Sequence, residues 1–264
     1  MNYIRVVKSF PKRRVYVHSI DQTWAVDLID MQQYSKQNKH YRYLLAAIDI
    51  FSKNGWLVPL KNKTGVTVSE AFKTLFKERK PMYIWSDKGS EFYNRQVKEL
   101  FKDNNIKLYS TENEEKSSVV ERWIGTMKQY MFKYFTANQT FKYYDVLDEL
   151  VKHYNNTVHS SIKMTPVQAS KPKNQSTVYR NLYPDSERSE QLPPKKPKFK
   201  VGDRVRITKK KGKFEKGYTT RWTREIFVIE KVLNTNPVTY RIKDLEGEEI
   251  KGDFYEQELQ MTKF

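Results

Sequence analysis

Apolar and polar positions alternate from Thr23 to Asp30 (TWAVDLID). Trp24, Val26 and Leu28 fall on one side, and Ala25, Asp27 and Ile29 on the other. A period of two is that of a strand, so this stretch predicts a strand with a carboxylate inside its apolar pattern. Tyr41–Ile50 is a mostly apolar run suited to a central strand. Trp56–Leu60 follows Asn54-Gly55, a hairpin-type turn signal. Three consecutive strands, most simply antiparallel neighbours, are expected.

The period then lengthens. Val68, Phe72, Leu75 and Phe76 recur at helical spacing, Thr67 with Glu70 makes a capping-box pair, and Pro81 closes the segment. Met82–Trp85 predicts a short buried strand, Ser90–Lys102 a helix and Ile106–Tyr109 another short strand. Ser117–Phe135 predicts a long helix with Trp123, Met127, Tyr130 and Tyr134 on one face. Phe141–Asn155 predicts another, with Leu147, Leu150, Val151 and Tyr154 inward. The order βββαβαβαα implies a mixed sheet flanked by helices. Strands that follow helices should run parallel to their neighbours through right-handed crossovers.

Further on, Pro172, Pro184, Pro193, Pro194 and Pro197 lie in a polar stretch that reads as an extended linker. Short alternating segments return at Val201–Ile207, Ile226–Val232, Val238–Ile242 and near Ile250, separated by Gly- or Asn-containing turns. That pattern suits a small β-barrel. The expected organisation is a basic arm or solvated tail (1–20), an α/β core (21–169), a Pro/Lys-rich linker (170–198) and an all-β barrel (199–264). The arm holds Arg5, Lys8, Lys12, Arg13 and Arg14 and no acid.

Charge sharpens this picture. Lys and Arg number 49 against 31 Asp and Glu, a formal charge of +18. Such a field favours a polyanion, because neutralised phosphates release condensed counterions. Nucleic acid is the leading partner class, and an acidic membrane face the minor one. The absence of cysteine excludes disulfides and any Cys-containing zinc site. The histidines lack metal-ligand spacing, and His153 and His159 read as ordinary polar residues near a helix end. No signal-peptide core and no membrane-length apolar run is evident. The expectation is an intracellular protein, soluble or held on nucleic acid, with no membrane partner.

Three carboxylates stand in telling places. Asp27 interrupts the first strand's apolar pattern, Asp87 follows a buried strand in SDKGSEF, and Glu121 opens the long helix in SSVVERWIGTMK. A charge embedded in apolar sequence is costly unless it is paired or binds a metal. If the first strand and Met82–Trp85 are parallel neighbours, Asp27 and Asp87 converge at one sheet edge and Glu121 approaches from the helix. An oxygen-only set suits Mg²⁺ or Mn²⁺. Two such ions, roughly 4 Å apart, serve in-line phosphoryl displacement. Read blandly, Asp27 is a loop acid and Glu121 an acid favoured by the helix dipole, and spacing alone does not choose.

Gly125 and Lys128 follow Glu121 at i+4 and i+7 and share its face. Gly125 leaves room for close approach, and Lys128, about 10 Å along the axis, offers charge to a phosphate or is simply solvated. Lys88, Ser117 and Arg122, beside the acids, are the other candidate DNA contacts, although Ser117 and Ser118 also suit capping. Asp49 is either near the site or paired with Lys53. Glu91, four residues past Asp87, is a candidate supporting group.

In that order, TWAVDLIDM, YRYLLAAIDIFSKNGWLVPLKNKTG, SDKGSEFYN and KSSVVERWIGTMKQYM resemble the integrase core of retroviruses and retrotransposons. The resemblance is closest to integrases of Maverick/Polinton DNA transposons and related virophages. It covers roughly residues 15–170, with YNNTVHSSIKMTP at its end. It implies an RNase H-like fold and places the D-D-E triad on Asp27, Asp87 and Glu121, the last two 33 residues apart. It also implies metal-dependent 3′-end processing and strand transfer, DNA ends and target DNA as partners, self-association and a nuclear setting. FKVGDRVRI and PVTYRIKDLEGEEIKGDFYEQELQ resemble the small barrel of such integrases, SH3-like or chromodomain-like. A chromodomain-like barrel would bind a histone tail in an aromatic cage. Trp222, Phe227, Tyr240 and Tyr255 are the candidates, with core packing the alternative use. PPKKPKFK (Pro193–Lys200) resembles a nuclear localisation signal and equally suits a basic linker on DNA. Such integrases often carry an N-terminal zinc-binding domain. With no cysteine and twenty residues before the core, this chain either lacks one or begins after it. The competing readings are a domesticated, non-catalytic DNA- or chromatin-binding protein and an RNase H-like nuclease that only cuts.

Overall fold

The computed structural model describes residue 10 and residues 16–110, 118–184, 196–209 and 221–262. The chain divides into two compact units, one comprising residues 16–187 and the other residues 188–264 with the first fifteen.

The larger unit is built on a five-stranded sheet, with β1 at Thr23–Asp30, β2 at Tyr43–Asp49, β3 at Gly55–Leu60, β4 at Tyr83–Trp85 and β5 at Lys107–Tyr109. The strand order is β3-β2-β1-β4-β5. The first three strands pair antiparallel, while β4 and β5 join parallel to β1. Crossover helices precede the parallel strands, α1 (Gly65–Phe76) before β4 and α2 (Arg95–Asp103) before β5. The mixed RNase H-like sheet flanked by helices is therefore present.

The alternation along β1 sorts its side chains into two cores. Trp24 and Val26 join Leu45, Ala47, Ile84 and the apolar stripes of α1 and α2. Ala25 and Ile29 join Leu44, Ala46, Ile48, Trp85 and the buried face of α3 (Ser118–Asn138). Helix α4 (Leu147–Asn155), the short α5 (Pro166–Ala169) and α6 (Gln175–Leu182) complete that second layer.

Several boundaries differ from the sequence reading. Helix α1 is capped by Thr64, not Thr67. Helix α2 starts at Arg95 rather than Ser90, because the Asn94 side chain caps it by accepting from Val97 N at 3.0 Å. The residues before it form a separate turn on Gly89, whose carbonyl accepts from Phe92 N and Tyr93 N. The expected helix from Phe141 begins only at Leu147, after a short 3-10 turn at Tyr144–Val146. On α3 the deepest side chains are Val120, Trp123, Ile124, Met127, Met131 and Phe135, with Tyr130 and Tyr134 only half-buried.

The first half of the expected linker folds onto the core. Pro172 opens a 3-10 turn, a position where its missing N–H costs nothing. Val178 and Tyr183 are buried, and the Tyr183 hydroxyl accepts from Val17 N at 2.9 Å. Val17 of the expected arm is thereby buried in the core, with Ile20 packed against it.

The smaller unit is an antiparallel sheet ordered β10-β6-β7-β8-β9, comprising β6 (Arg204–Ile207), β7 (Phe227–Leu233), β8 (Thr239–Lys243), β9 (Glu249–Tyr255) and β10 (Leu259–Met261). Phe199, Val205, Phe227, Ile229, Tyr240, Ile242 and Leu259 form its core. Trp222 and Tyr255 are buried too. The four candidate cage aromatics are thus packing residues rather than the walls of an open pocket. Among the described residues no helix is long and apolar enough to cross a membrane.

Candidate active site

Strand register sets the first two carboxylates. The last parallel pair between β1 and β4 is Ala25↔Trp85. Asp27 and Asp87 each lie two residues beyond it, so they occupy matching positions where the ladder ends. Asp27 shares its face with Ala25 and Ile29, the face covered by α3. It is half-buried, and its Oδ1 accepts from Leu28 N at 2.8 Å.

Beyond β4 the chain is held by side chains. Ser86 N donates to Tyr109 O at 3.3 Å, continuing the β4–β5 contact. The Ser86 and Ser110 hydroxyls both donate to the Asp87 carbonyl, at 2.8 and 3.2 Å. The exposed Asp87 carboxylate accepts from Gly89 N at 3.1 Å. Glu91 lies over Gly89, its carboxyl carbon 2.7 Å from where a glycine Cβ would stand. It lies before α2 rather than in its first turn.

Glu121 is exposed in the first turn of α3, between the buried Val120 and Trp123. Among the described residues nothing lies within 4 Å of a Cβ built on Gly125, which leaves room for close approach at that position. Arg122, Lys128 and Lys88 are exposed. Ser117 lies outside the described residues.

Asp27 and Asp87 therefore lie past the same end of the neighbouring strands β1 and β4, and Glu121 lies on the helix over that sheet. Among the described residues, no three His, Cys, Asp or Glu side chains stand in metal-holding geometry. Strand register puts Asp27 and Asp87 at matching positions, and Glu121 stands in the first turn of the helix packed on that sheet. Their donors are all carboxylate oxygens, with Asp87 and Glu121 exposed and Asp27 half-buried, a donor chemistry that fits a hard divalent cation.

Asp49 is not part of this set. In the antiparallel register it pairs with Trp24, while Asp27 pairs with Ala46, three residues further along β1. Its partners are the Ser52 hydroxyl at 2.5 Å and Arg79 at 3.1 Å, rather than Lys53. Burial pushes its carboxyl above the ordinary range, against the lowering pull of Ser52 and Arg79. Lys53 is itself buried and donates to Ile50 O at 2.7 Å. Burial lowers its ammonium to about 8, with Arg122 adding to that and Asp49 opposing it. His159 is lowered by burial and by the same two cations, Lys53 and Arg122. Sequence reasoning missed this basic corner, whose members lie far apart in the chain.

The strand order and the helices on both faces of the sheet define an RNase H-like core. Residues 17–114 match the family described as Integrase core domain. The chain is 39% identical over 205 residues to a putative uncharacterized transposon-derived protein of Caenorhabditis elegans, covering 75% of this chain and 66% of that one. It is 29% identical over 130 residues to the Pro-Pol polyprotein of feline foamy virus, covering 48% of this chain and 11% of that one. Thus it spans about two thirds of the first relative and a small part of the second. The fold resembles a chain of the simian T-cell lymphotropic virus intasome in complex with PP2A regulatory subunit B56 gamma. The TM-score is 0.65 at 16% identity, over 96% of this chain and 83% of that one.

Proposed function

We propose that this protein is a DNA integrase that trims 3′ ends of a mobile element's DNA and joins them to target DNA. The observation that carries this reading is the matched position of Asp27 and Asp87 beyond the β1–β4 ladder, with Glu121 in the first turn of the helix packed on that sheet. A non-catalytic binding protein has no need of that arrangement.

Asp27, Asp87 and Glu121 are the residues that would hold Mg²⁺ or Mn²⁺, which supplies activation of the attacking oxygen and stabilisation of the leaving one. The loop pinned by Ser86 and Ser110 keeps Asp87 oriented. Lys128 and Arg122 meet the phosphate charge along α3, and Lys88 does so beside Asp87. In the first reaction a water oxygen bonds to phosphorus and the bond to the 3′ oxygen breaks, freeing a 3′ hydroxyl. In the second that hydroxyl bonds to a target phosphorus and displaces the target's own 3′ oxygen.

The net charge of +18 supports duplex DNA as the partner, held mostly through phosphates. The intasome likeness supports assembly of several copies on DNA ends, and the transposon-derived relative supports a mobile element as the source. Membership of the Maverick/Polinton and virophage branch, and work in the nucleus, belong to the same proposal. Histone-tail binding by the smaller unit would need residues other than the four buried aromatics.

Labelled duplex ends incubated with a plasmid target separate the readings. Joined products support an integrase, shortened ends alone a nuclease, and binding without products a domesticated DNA-binding protein.

A further inference from the structure

Gly55 reads in sequence as the glycine of an Asn-Gly hairpin turn. In the structure the chain turns earlier, over Ile50–Asn54, with Lys53 at φ 63°. Gly55 is the first residue of β3, paired with Ile48. The described glycines with positive φ are Gly202, Gly247 and Gly252, so no turn conformation requires a glycine at 55.

Its neighbour does. A Cβ on Gly55 would stand 2.5 Å from Cε2 and Cζ2 of Trp123 and 2.7 Å from Nε1. Carbon atoms in good contact sit roughly 3.5–4.0 Å apart, so even the smallest side chain would push the indole outward by about 1 Å. The seat itself is clamped. Asn155 on α4 accepts from Gly55 N and donates to Gly55 O, both at 2.9 Å, and Tyr154 packs edge-on to the indole at 5.9 Å.

The indole is used here for its bulk. Trp123 is 2% exposed, and its Nε1 has no hydrogen-bond partner among the described residues. A buried N–H without an acceptor is a standing cost. It is offset only by what the ring fills. Trp123 is two residues from Glu121, hence about 200° around the helix. One points into the core while the other points out, so a displacement of the indole shifts or turns the first turns of α3 and carries Glu121 with it.

We propose that Gly55 and Asn155 are positioning residues for Glu121, because the Asn155-clamped Gly55 backbone is the seat on which Trp123 sets the height and rotation of α3. This rests on the reading of Glu121 as a metal-holding residue. A 1 Å misplacement of a catalytic group costs on the order of 10²-fold in rate. Gly55→Ala should therefore lose strand transfer at temperatures where it remains folded.

The test compares wild type, Gly55→Ala, Trp123→Leu and the double variant. It measures strand-transfer kcat and KM for DNA, Mn²⁺ affinity by electron paramagnetic resonance, and melting by circular dichroism. The expected result for Gly55→Ala is a kcat lowered about 10- to 10²-fold, weaker Mn²⁺ binding and an unchanged KM. Removing the indole in the double variant should restore both kcat and Mn²⁺ affinity relative to Gly55→Ala alone. Wild-type kcat and Mn²⁺ affinity in Gly55→Ala, or a double variant no better than the single, would overturn the proposal. If Gly55→Ala fails to fold, Asn155→Asp replaces it. That change keeps the volume, removes the donor to Gly55 O and should weaken the same two quantities. If the wild type joins no DNA, the functional reading fails, and Mn²⁺ affinity alone still decides the positioning role.

Discussion

Lys53 is an ammonium buried at the β2–β3 loop with a backbone carbonyl as acceptor. Folding lowers its pKa from 10.5 to about 8, with burial the main cause. Between those values the unfolded chain holds a proton that the folded chain has released, so stability rises with pH across that window. Below about 8 the full cost of the buried charge is present. Urea unfolding at pH 7 and pH 10 should show Lys53→Met gaining relative to wild type at pH 7 and losing that advantage at pH 10. A constant difference would show that Lys53 carries no such cost. At this scale legibility depended on local contrast. Asp27 and Asp87 stood out because each is a charge set against apolar neighbours. Lys53 and Asp49 looked like a natural pair four residues apart, but the carboxylate's cation is Arg79, 30 residues away. Nothing local announces such a partner.

Arg79 joins elements that sequence places far apart. Its guanidinium donates to Asp21 at 2.7 and 2.9 Å, to Asp49 at 3.1 Å and to Ser170 at 2.8 Å. It thereby ties the start of β1 and the end of β2 to the chain after α1 and α5. Asp49 is fully buried, and losing one partner of a buried pair leaves an uncompensated charge. Arg79→Met is expected to lower unfolding free energy by about 3–5 kcal/mol, measured by urea titration, and Asp49→Asn should recover part of that loss. No recovery would mean the guanidinium acts through packing on Trp56, 5.1 Å away. All five strands of the larger sheet were legible, β1 from its alternation and the others from apolar runs and a turn signal, because strands buried on both faces lose their alternation. Periodicity misplaced helix starts, because capping by Thr64 and Asn94 is a matter of which short polar side chain reaches the backbone. The Gly55 error has the same root. A glycine needed for a long-range contact looks no different from one needed for a turn.

Across the whole chain, charge and domain order were legible and one boundary was not. Pro172 and its polar neighbours suggested a linker, yet the segment folds because Val178 enters the core and the buried Tyr183 packs on Tyr16 and Tyr179. The surplus of 18 positive charges bears on DNA binding as a bulk property. A protein contacting about 6–10 phosphates loses on the order of 10³–10⁵ in affinity between 50 and 200 mM salt. Fluorescence anisotropy on random-sequence duplexes should show a loss of that size, similar for every sequence. Salt-insensitive or sharply sequence-dependent binding would contradict phosphate-dominated recognition. The decisive measurement is strand transfer by wild type and Glu121→Gln in Mg²⁺ and in Mn²⁺, with DNA affinity and melting followed in parallel. Metal-dependent joined products that fall on the order of 10³-fold in the variant, at unchanged affinity and melting, are expected. Equal joining by both proteins, or DNA binding without products from the wild type in either metal, would contradict the carboxylate site.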